Sequence, residues 1–527
     1  MRQWRPYAGL AGALLLAGCM VGPDYQRPAA PVTPAYKEQG IWKVAQPQDE
    51  APHGAWWSVY DDPLLDKLEH QIDIDNQTIK AAEEAYNDAV AIVQQARASL
   101  FPTASTTFSE RTSKGSTSAV GTALPTTTGT TTSTAAIPTT TGSSGSSVRS
   151  VYSLAATASW APDVWGAVRR AIAGDVASAQ VSAANLAAAR LSAQGALATA
   201  YLELRIQDEL KKLLDESAEA YARSLQIVKN QYGVGVAGKS DVAQAETQLF
   251  STQAQAINTG VLRAQLEHAI AVLIGLPPAS FSIEPEPATL SVPGVPAGVP
   301  STLLERRPDI AAAERQMHAA NEQIGVAVAA YYPNFTLTTS VSYSGSVLSR
   351  LIQDPNQFWS VGPAAAETLL DFGSRDAQVK QARALYNEAV ANYRQTVLAG
   401  FQQVEDQLAA LRILAEQATV QDQAVNSARE AERLIFNQYR AGTVAYTSVV
   451  VAQTAALSNA ETALTLRENR LTASVALLQA LGGGWDTGQM PKPDDIDKFD
   501  PHVLLPFPVS DENGKTPADG LKPATAK

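Results

Sequence analysis

"NQYGVGVAGKSD" occupies residues 230–241. Within it, Gly233 to Ser240 fits G-x-x-x-x-G-K-S, the pattern of a loop that cradles phosphate. That chemistry needs a buried strand entering the loop and a helix leaving it, so that backbone N–H groups and the helix N-terminus face the anion. The flanking sequence offers a different context. Residues 167–232 contain no proline, and Tyr221, Leu225, Val228 and Tyr232 recur at steps of four and three, the spacing of a packed helix. The turn also recurs: "NQYRAGTVAYTS" fills 437–448 without the first glycine, the second loop glycine or the lysine. A phosphate site does not explain that second copy. A helix hairpin does, with Gly235 and Gly442 in the left-handed conformation that ends a helix. Asp241, with Gln244 three residues on, is expected to cap the helix that follows.

The duplication is broad. Asn230 and Asn437, Gly166 and Gly373, and Gly275 and Gly482 all stand 207 positions apart. Upstream, Phe101-Pro102 matches Tyr332-Pro333 at an offset of 231. The difference is extra length in the first copy, where the Ser/Thr/Gly tract 112–147 lies. Such a tract cannot bury a core and reads as an exposed loop.

Each copy has one layout. A helical stretch (64–100 or 305–331) runs to the aromatic-Pro pair, and proline disfavours helix in the residue before it. Two strands follow. In "NFTLTTSVSYS" (334–344), Phe335, Leu337, Val341 and Tyr343 alternate with Thr336, Thr338, Ser340 and Ser342. That is the period of a strand with one apolar and one small polar face. "VYSLAATASW" (151–160) alternates likewise, and 103–111 and 358–370 are the expected partners. Long helices at 167–232 and 374–439 come next, each about 100 Å at 1.5 Å per residue. Val397, Phe401, Val404, Leu408 and Leu411 mark the seam of the second. Return helices at 241–274 and 448–481 close each copy.

Charged residues make up only 17% of the 527, and the net charge is −12 with no basic block, a poor match to nucleic acid. The N-terminus has Arg2, Arg5 and a short apolar run from Ala8 to Ala17, the form of a signal peptide over 1–18. Leu16-Ala17-Gly18-Cys19 resembles the bacterial lipobox, which makes Cys19 the lipid-attachment residue. Cys19 is the only cysteine, so no disulfide forms within the chain. The five histidines are scattered without metal-ligand spacing. No catalytic residue, metal, cofactor or nucleotide is expected, and the chain does not read as an enzyme.

No stretch after the signal peptide is long and apolar enough for a transmembrane helix, so a membrane crossing must be made by strands. Four strands in lipid leave two open edges. Bacterial barrels have at least eight strands, so the chains must assemble, and three copies supply twelve. The fold class expected is mainly α with a small β part. It is internally duplicated, with a long antiparallel coiled-coil α-barrel and four strands per chain contributing to a 12-stranded trimeric transmembrane β-barrel.

Together, "CMVGPDYQRP" (19–28), "LLERRPDIAAAERQ" (303–316) and "LLQALGGGW" (477–485) resemble the marks of TolC-type outer-membrane factors. The likeness is greatest to the NodT-like lipoprotein branch of multidrug efflux systems. It implies a homotrimeric passive duct in outer-membrane lipid, with a periplasmic adaptor and an inner-membrane RND-type pump as partners. Division follows as a lipidated segment and equatorial part 19–63, a first repeat 64–276 with its hairpin at 102–162, and a Pro-rich linker 277–304. A second repeat 305–484, with its hairpin at 333–370, and a Pro-rich polar tail 485–527 complete it. The resemblance puts a periplasmic gate at the helix turns, with Tyr232 and Tyr439 at the family's aromatic position and Asp241 at an acidic one. Where family members often carry aspartate, this chain has Ser448 and Val451, and a valine ring could close the end by dewetting. Two alternatives stay open: a duct for type I protein secretion, and a structural envelope lipoprotein without a pore.

Overall fold

The computed structural model describes residues 20–30, 32, 36–37, 55–116, 146–287, 291–294 and 303–498. Cys19, the signal peptide, the heart of the Ser/Thr/Gly tract and the end of the tail lie outside them. The described residues group into two compact units. One is built from Gln95–Ala171 and Gly325–Val379 with the segment ending at Gly22; the other from Pro23–Gln94, Ile172–Ile324 and the chain from Lys380 on.

In chain order the helices and strands are α1 (Pro63–Asp75), α2 (Gln77–Ala98), β1 (Thr103–Ser116), β2 (Ser146–Trp160), α3 (Ala167–Gly233) and α4 (Lys239–Leu273). The second half gives α5 (Leu303–Arg306), α6 (Pro308–Ala329), β3 (Asn334–Gly345), β4 (Gln357–Ala366), α7 (Ser374–Arg440), α8 (Tyr446–Ala480) and α9 (Pro493–Ile496).

Each repeat's first helical stretch is broken, which the sequence reading had as continuous. Between α1 and α2, Asn76 Oδ1 accepts from the N–H groups of Thr78 (2.8 Å) and Ile79 (3.0 Å) and so restarts the helix as a cap. Between α5 and α6 the break falls at Arg307, because Pro308 disfavours helix in the residue before it. The β4 strand stops at Ala366, short of the expected 370, and β1 runs on to Ser116, past the expected 111.

The strands form one antiparallel sheet in the order β1-β2-β3-β4. Register aligns Phe108, Leu154 and Tyr343 on one face, with Ala156, Val341 and Trp359 beside them and Trp160, Leu337 and Pro363 beyond. The opposite face carries Ser105, Thr107, Thr157, Ser159, Thr338, Ser340 and Ser360. Pro363, which cannot donate to a ladder, sits on the edge strand β4, where such a residue is tolerated.

In the helical unit, one buried cluster gathers Trp56, Trp57, Tyr60 and Leu65 against Leu197 and Tyr201 of α3, Ile270 of α4, Leu408 of α7 and Leu471 of α8. A second lies along the hairpins, from Tyr221, Leu225 and Val228 of α3 to Leu249 of α4 and Val449 of α8. Of the α7 seam, Val397, Val404, Leu408 and Leu411 are buried, and Phe401 is partly so.

Candidate functional site

Two places carry functional geometry: the sheet, and the turns at the ends of the long helices. The sheet has an apolar face and two edges, β1 and β4, without a pairing strand among the described residues. Every residue of β4 is exposed, including Phe358, Trp359 and Val361. Aromatic rings mark the end of the sheet where β1 and β3 start and β2 stops. Trp165 stacks on Tyr332 with centroids 4.7 Å apart and donates from Nε1 to the Pro333 carbonyl at 2.8 Å. Trp160 Nε1 donates to the Leu100 carbonyl at 2.9 Å, and the Arg375 guanidinium lies 5.3 Å from the Tyr331 ring centroid. Rings with one apolar body and one polar handle suit a lipid–water boundary.

The N-terminal segment is fastened at that end. Val21 N donates to the Trp165 carbonyl at 3.2 Å, and Arg170 donates from Nε to the Val21 carbonyl (3.2 Å) and from Nη2 to the Gly22 carbonyl (3.3 Å). Within the helical unit the same segment continues along α6. There the Tyr25 hydroxyl donates to Glu314 Oε1 at 2.5 Å and its ring stacks on His318, while Arg27 Nη2 donates to the Tyr393 hydroxyl at 3.2 Å. The sequence reading used "GPDY" only as a family mark and missed these anchors.

At the helix turns the two copies share one backbone design. Gly235 N donates to the Tyr232 carbonyl and Val236 N to the Gln231 carbonyl. In the second copy Gly442 N donates to the Tyr439 carbonyl and Thr443 N to the Gln438 carbonyl. This pair of bonds is the Schellman ending, and φ is +78° at Gly235 and +75° at Gly442. "GVGVAGKS" is entered from the helix α3, not from a strand, so the context of a phosphate loop is not there. The cap of α4 differs from expectation. Its N-cap is Gly238, and Asp241 lies one turn in, with Oδ2 accepting from the Gly238 N–H at 3.1 Å. Asp241 thus closes the helix start from inside the first turn, where its charge also favours the dipole.

Side chains separate the copies. Tyr439 is buried, packs edge-to-face on Tyr446 at 5.2 Å, and its hydroxyl donates to Gln231 Oε1 at 2.5 Å. Tyr232 is 48% exposed. Burial first, and the Asp241 carboxylate second, push the Tyr439 phenol above its ordinary range. Tyr446 is likewise raised by burial and Asp241, against a hydrogen bond with Ser224. Ser448 is half-buried and Val451 is 65% exposed on the first turns of α8. The structure therefore brings Tyr439 and Asp241 to one cluster and leaves Tyr232 and Val451 on the surface of the single chain. Gln231, which completes the cluster, was missed, although its signal was present in the repeated "NQY". Further up, α3 and α8 are joined by Tyr221, whose hydroxyl donates to the Gln453 carbonyl at 3.2 Å, and by Arg467 on Glu209 at 2.8 Å.

Among the described residues no helix is long and apolar enough to cross a membrane. A family model described as outer membrane efflux protein matches residues 68–276 and 299–483. The toluene efflux pump outer membrane protein TtgC of Pseudomonas putida is 29% identical over 482 residues, covering 90% of this chain and 95% of the relative. The cation efflux system protein CusC of Escherichia coli is 26% identical over 480 residues, covering 90% and 97%. Among solved structures, the outer-membrane channel OprN superposes with a TM-score of 0.78 at 25% identity, covering 89% of this chain and all of that one.

Proposed function

The chain belongs to the outer membrane efflux protein family, and on that premise we propose that three copies close their sheets into one twelve-stranded barrel that opens into a helical duct. The sheet carries this reading: one apolar face and two unpaired edges. In hydrocarbon each unpaired N–H or C=O costs several kcal/mol. Pairing β4 of one copy with β1 of the next removes both edges at once. The helices have their own unmet surface, since Phe250 and Ile257 on α4, and Ile413, Val420 and Leu434 on α7, are exposed at multiples of seven residues.

The duct is passive. It releases small toxic compounds that an inner-membrane RND-type pump delivers through a periplasmic adaptor. Relatives named for toluene and for cation efflux support small-molecule cargo. The exposed Val234 and Val236 at the first turn are apolar tips suited to the adaptor. Lipid at Cys19 anchors the chain beside its barrel; the observation in favour is that Met20 packs on Gly166, next to Trp165. The helix turns form the closed end, with the Tyr439–Gln231 bond and Asp241 holding it and Ser448 and Val451 facing the passage.

Purified full-length protein tests the reading in planar bilayers. Trimers with single-channel conductance are expected, and deletion of the gene should sensitise cells to small toxic compounds. A monomer without conductance would overturn it. Unchanged susceptibility with loss of a secreted protein would assign the duct to type I secretion.

A further inference from the structure

The helix breaks of the two repeats are joined to the ends of their own return helices. In the first, Asn76 Nδ2 donates to the Leu273 carbonyl at 2.7 Å, and the Asp75 carbonyl lies against Gly275. In the second, Arg307 Nη1 donates to the Ala480 carbonyl at 2.9 Å, and the Arg306 carbonyl lies against Gly482. Asn76 and Arg307 are 231 positions apart, and Leu273 and Ala480 are 207 apart. Those are the two offsets of the duplication, so the joints are copies of one another.

Their chemistry has diverged. The remaining polar atom of Asn76, Oδ1, is spent on capping α2. Arg307 reaches a third element: Nη2 donates to Gln403 Oε1 on α7 at 2.9 Å, while Nε and Nη2 fork onto Asp309 at 3.0 and 2.6 Å. One guanidinium thus holds the start of α6, the middle of α7 and the end of α8. Beside it lies a cavity of about 440 Å³, lined by Leu191, Ser192, Gln403, Gln407 and Gln479 among others. The α7 helix is therefore tied to α8 next to open space.

Arg307 is only 7% exposed. Its carboxylate partner Asp309 is 41% exposed, so the ion pair itself adds little net stability, and the rigid fork of arginine suits it instead to fixing how the groups it touches are placed. The helix from Gln403 to Arg440 is about 55 Å long at 1.5 Å per residue, so a tilt of about 3° at the joint moves its tip by about 3 Å. A displacement of that size breaks a hydrogen bond. We propose that Arg307 is a positioning residue for the gate: by bridging Gln403 and the Ala480 carbonyl it keeps α7 out of the adjoining cavity and holds the distant turn closed. The inference rests on the reading of the helix turns as the closed end.

The test is single-channel recording of full-length protein in planar bilayers, with Arg307→Met, Arg307→Lys, Gln403→Met and Tyr439→Phe beside the parent. Gln403 is exposed, so Gln403→Met leaves folding intact and removes only the α7 arm. Assembled Arg307→Met and Gln403→Met channels are expected to be open about ten times as often as the parent. Arg307→Lys, which keeps the charge and loses the fork, should fall between. If Tyr439→Phe opens the channel while assembled Arg307→Met and Gln403→Met stay as closed as the parent, the inference is overturned and the gate reading stands. If Tyr439→Phe and Val451→Asp, recorded in the same way, also leave conductance and selectivity unchanged, the gate reading falls, and this inference with it. Should Arg307→Met fail to assemble, Gln403→Met decides alone.

Discussion

The Tyr439 hydroxyl donates to Gln231 Oε1 at 2.5 Å, tying the last turn of α7 to the last turn of α3. The two residues stand in the two copies of one "NQY" motif, yet the bond is not reciprocated: Tyr439 is buried, whereas Tyr232 is 48% exposed. The cause lies seven residues further on. Tyr439 has Tyr446 to pack against, and the position equivalent to Tyr446 in the first copy is Lys239.

That asymmetry makes a paired prediction. Tyr439→Phe keeps the ring packing and deletes one hydrogen bond, worth about 0.5–1.5 kcal/mol. Counted over the three copies proposed for the duct, the open fraction in planar bilayers should rise at least tenfold. Tyr232→Phe touches no equivalent bond and should leave conductance at the parent level. Equal effects from the two would show that the Tyr439–Gln231 contact has no part in closure.

How far the sequence carries depends on whether a feature is local. Alternation in 334–344 is a property of consecutive residues, and it yields the sheet with its apolar face. Freedom from proline and the heptad steps yield the long helices. The break at Arg307 was half legible, since Pro308 announces it, whereas Asn76 caps a helix inside an otherwise helical run and looks like any polar residue. Burial of Tyr439 was not legible from its own motif, because the deciding residue, Tyr446, lies across the turn. In the first copy the same position is Lys239, the lysine of the G-x-x-x-x-G-K-S pattern that the recurrence of the turn sets aside. Asp241 was misplaced within its cap because Gly238, which lacks a side chain, gives no cap signal of its own.

The turn glycines separate two kinds of cost. A Cβ at Gly442 meets nothing within 4 Å, so Gly442→Ala carries only the left-handed backbone penalty, about 1–2 kcal/mol. At Gly482 the same Cβ falls on the Arg306 carbonyl oxygen, which adds a clash with backbone that cannot yield cheaply. Thermal unfolding should therefore show a small loss for Gly442→Ala, while Gly482→Ala should sharply reduce the yield of folded protein. A mild Gly482→Ala would mean that the joint between α5 and α8 is more yielding than its close approach implies.

Glu69, on α1 one turn after Leu65, is wholly buried, and neither of its carboxyl oxygens has a hydrogen-bond partner among the described residues. Burial, with Asp73 adding repulsion, pushes its carboxyl from 4.5 up to about 9. The folded chain therefore keeps a proton that the unfolded chain releases across that window. The sign follows: this group favours folding most below pH 4.5, and its contribution declines as pH rises towards 9. The slope is at most about 1.4 kcal/mol per pH unit per chain. Melting temperature should fall from pH 5 to pH 9 in the parent, and the fall should be shallower in Glu69→Gln. Parallel pH curves for the two proteins would contradict a buried neutral carboxyl at this position.

Val451 gives the sharpest test of the proposed closed end. It is 65% exposed on α8, one turn beyond the half-buried Ser448, and so is available to a neighbouring copy or to the passage. Apolar side chains at a narrow point exclude ions by disfavouring water there, whereas a carboxylate ring attracts cations. Three carboxylates around one axis would raise the local cation concentration by a screened Coulomb effect that fades within about 10 Å at 0.1 M salt. Val451→Asp is therefore expected to raise the cation-to-anion permeability ratio several-fold, to make that ratio fall as salt increases, and to make the channel blockable by a trivalent cation. Val451→Thr, of similar size and uncharged, should wet the constriction and raise leak without shifting selectivity. If both variants leave conductance and selectivity as in the parent, Val451 does not line the narrowest point, and closure rests on the Tyr439 cluster alone.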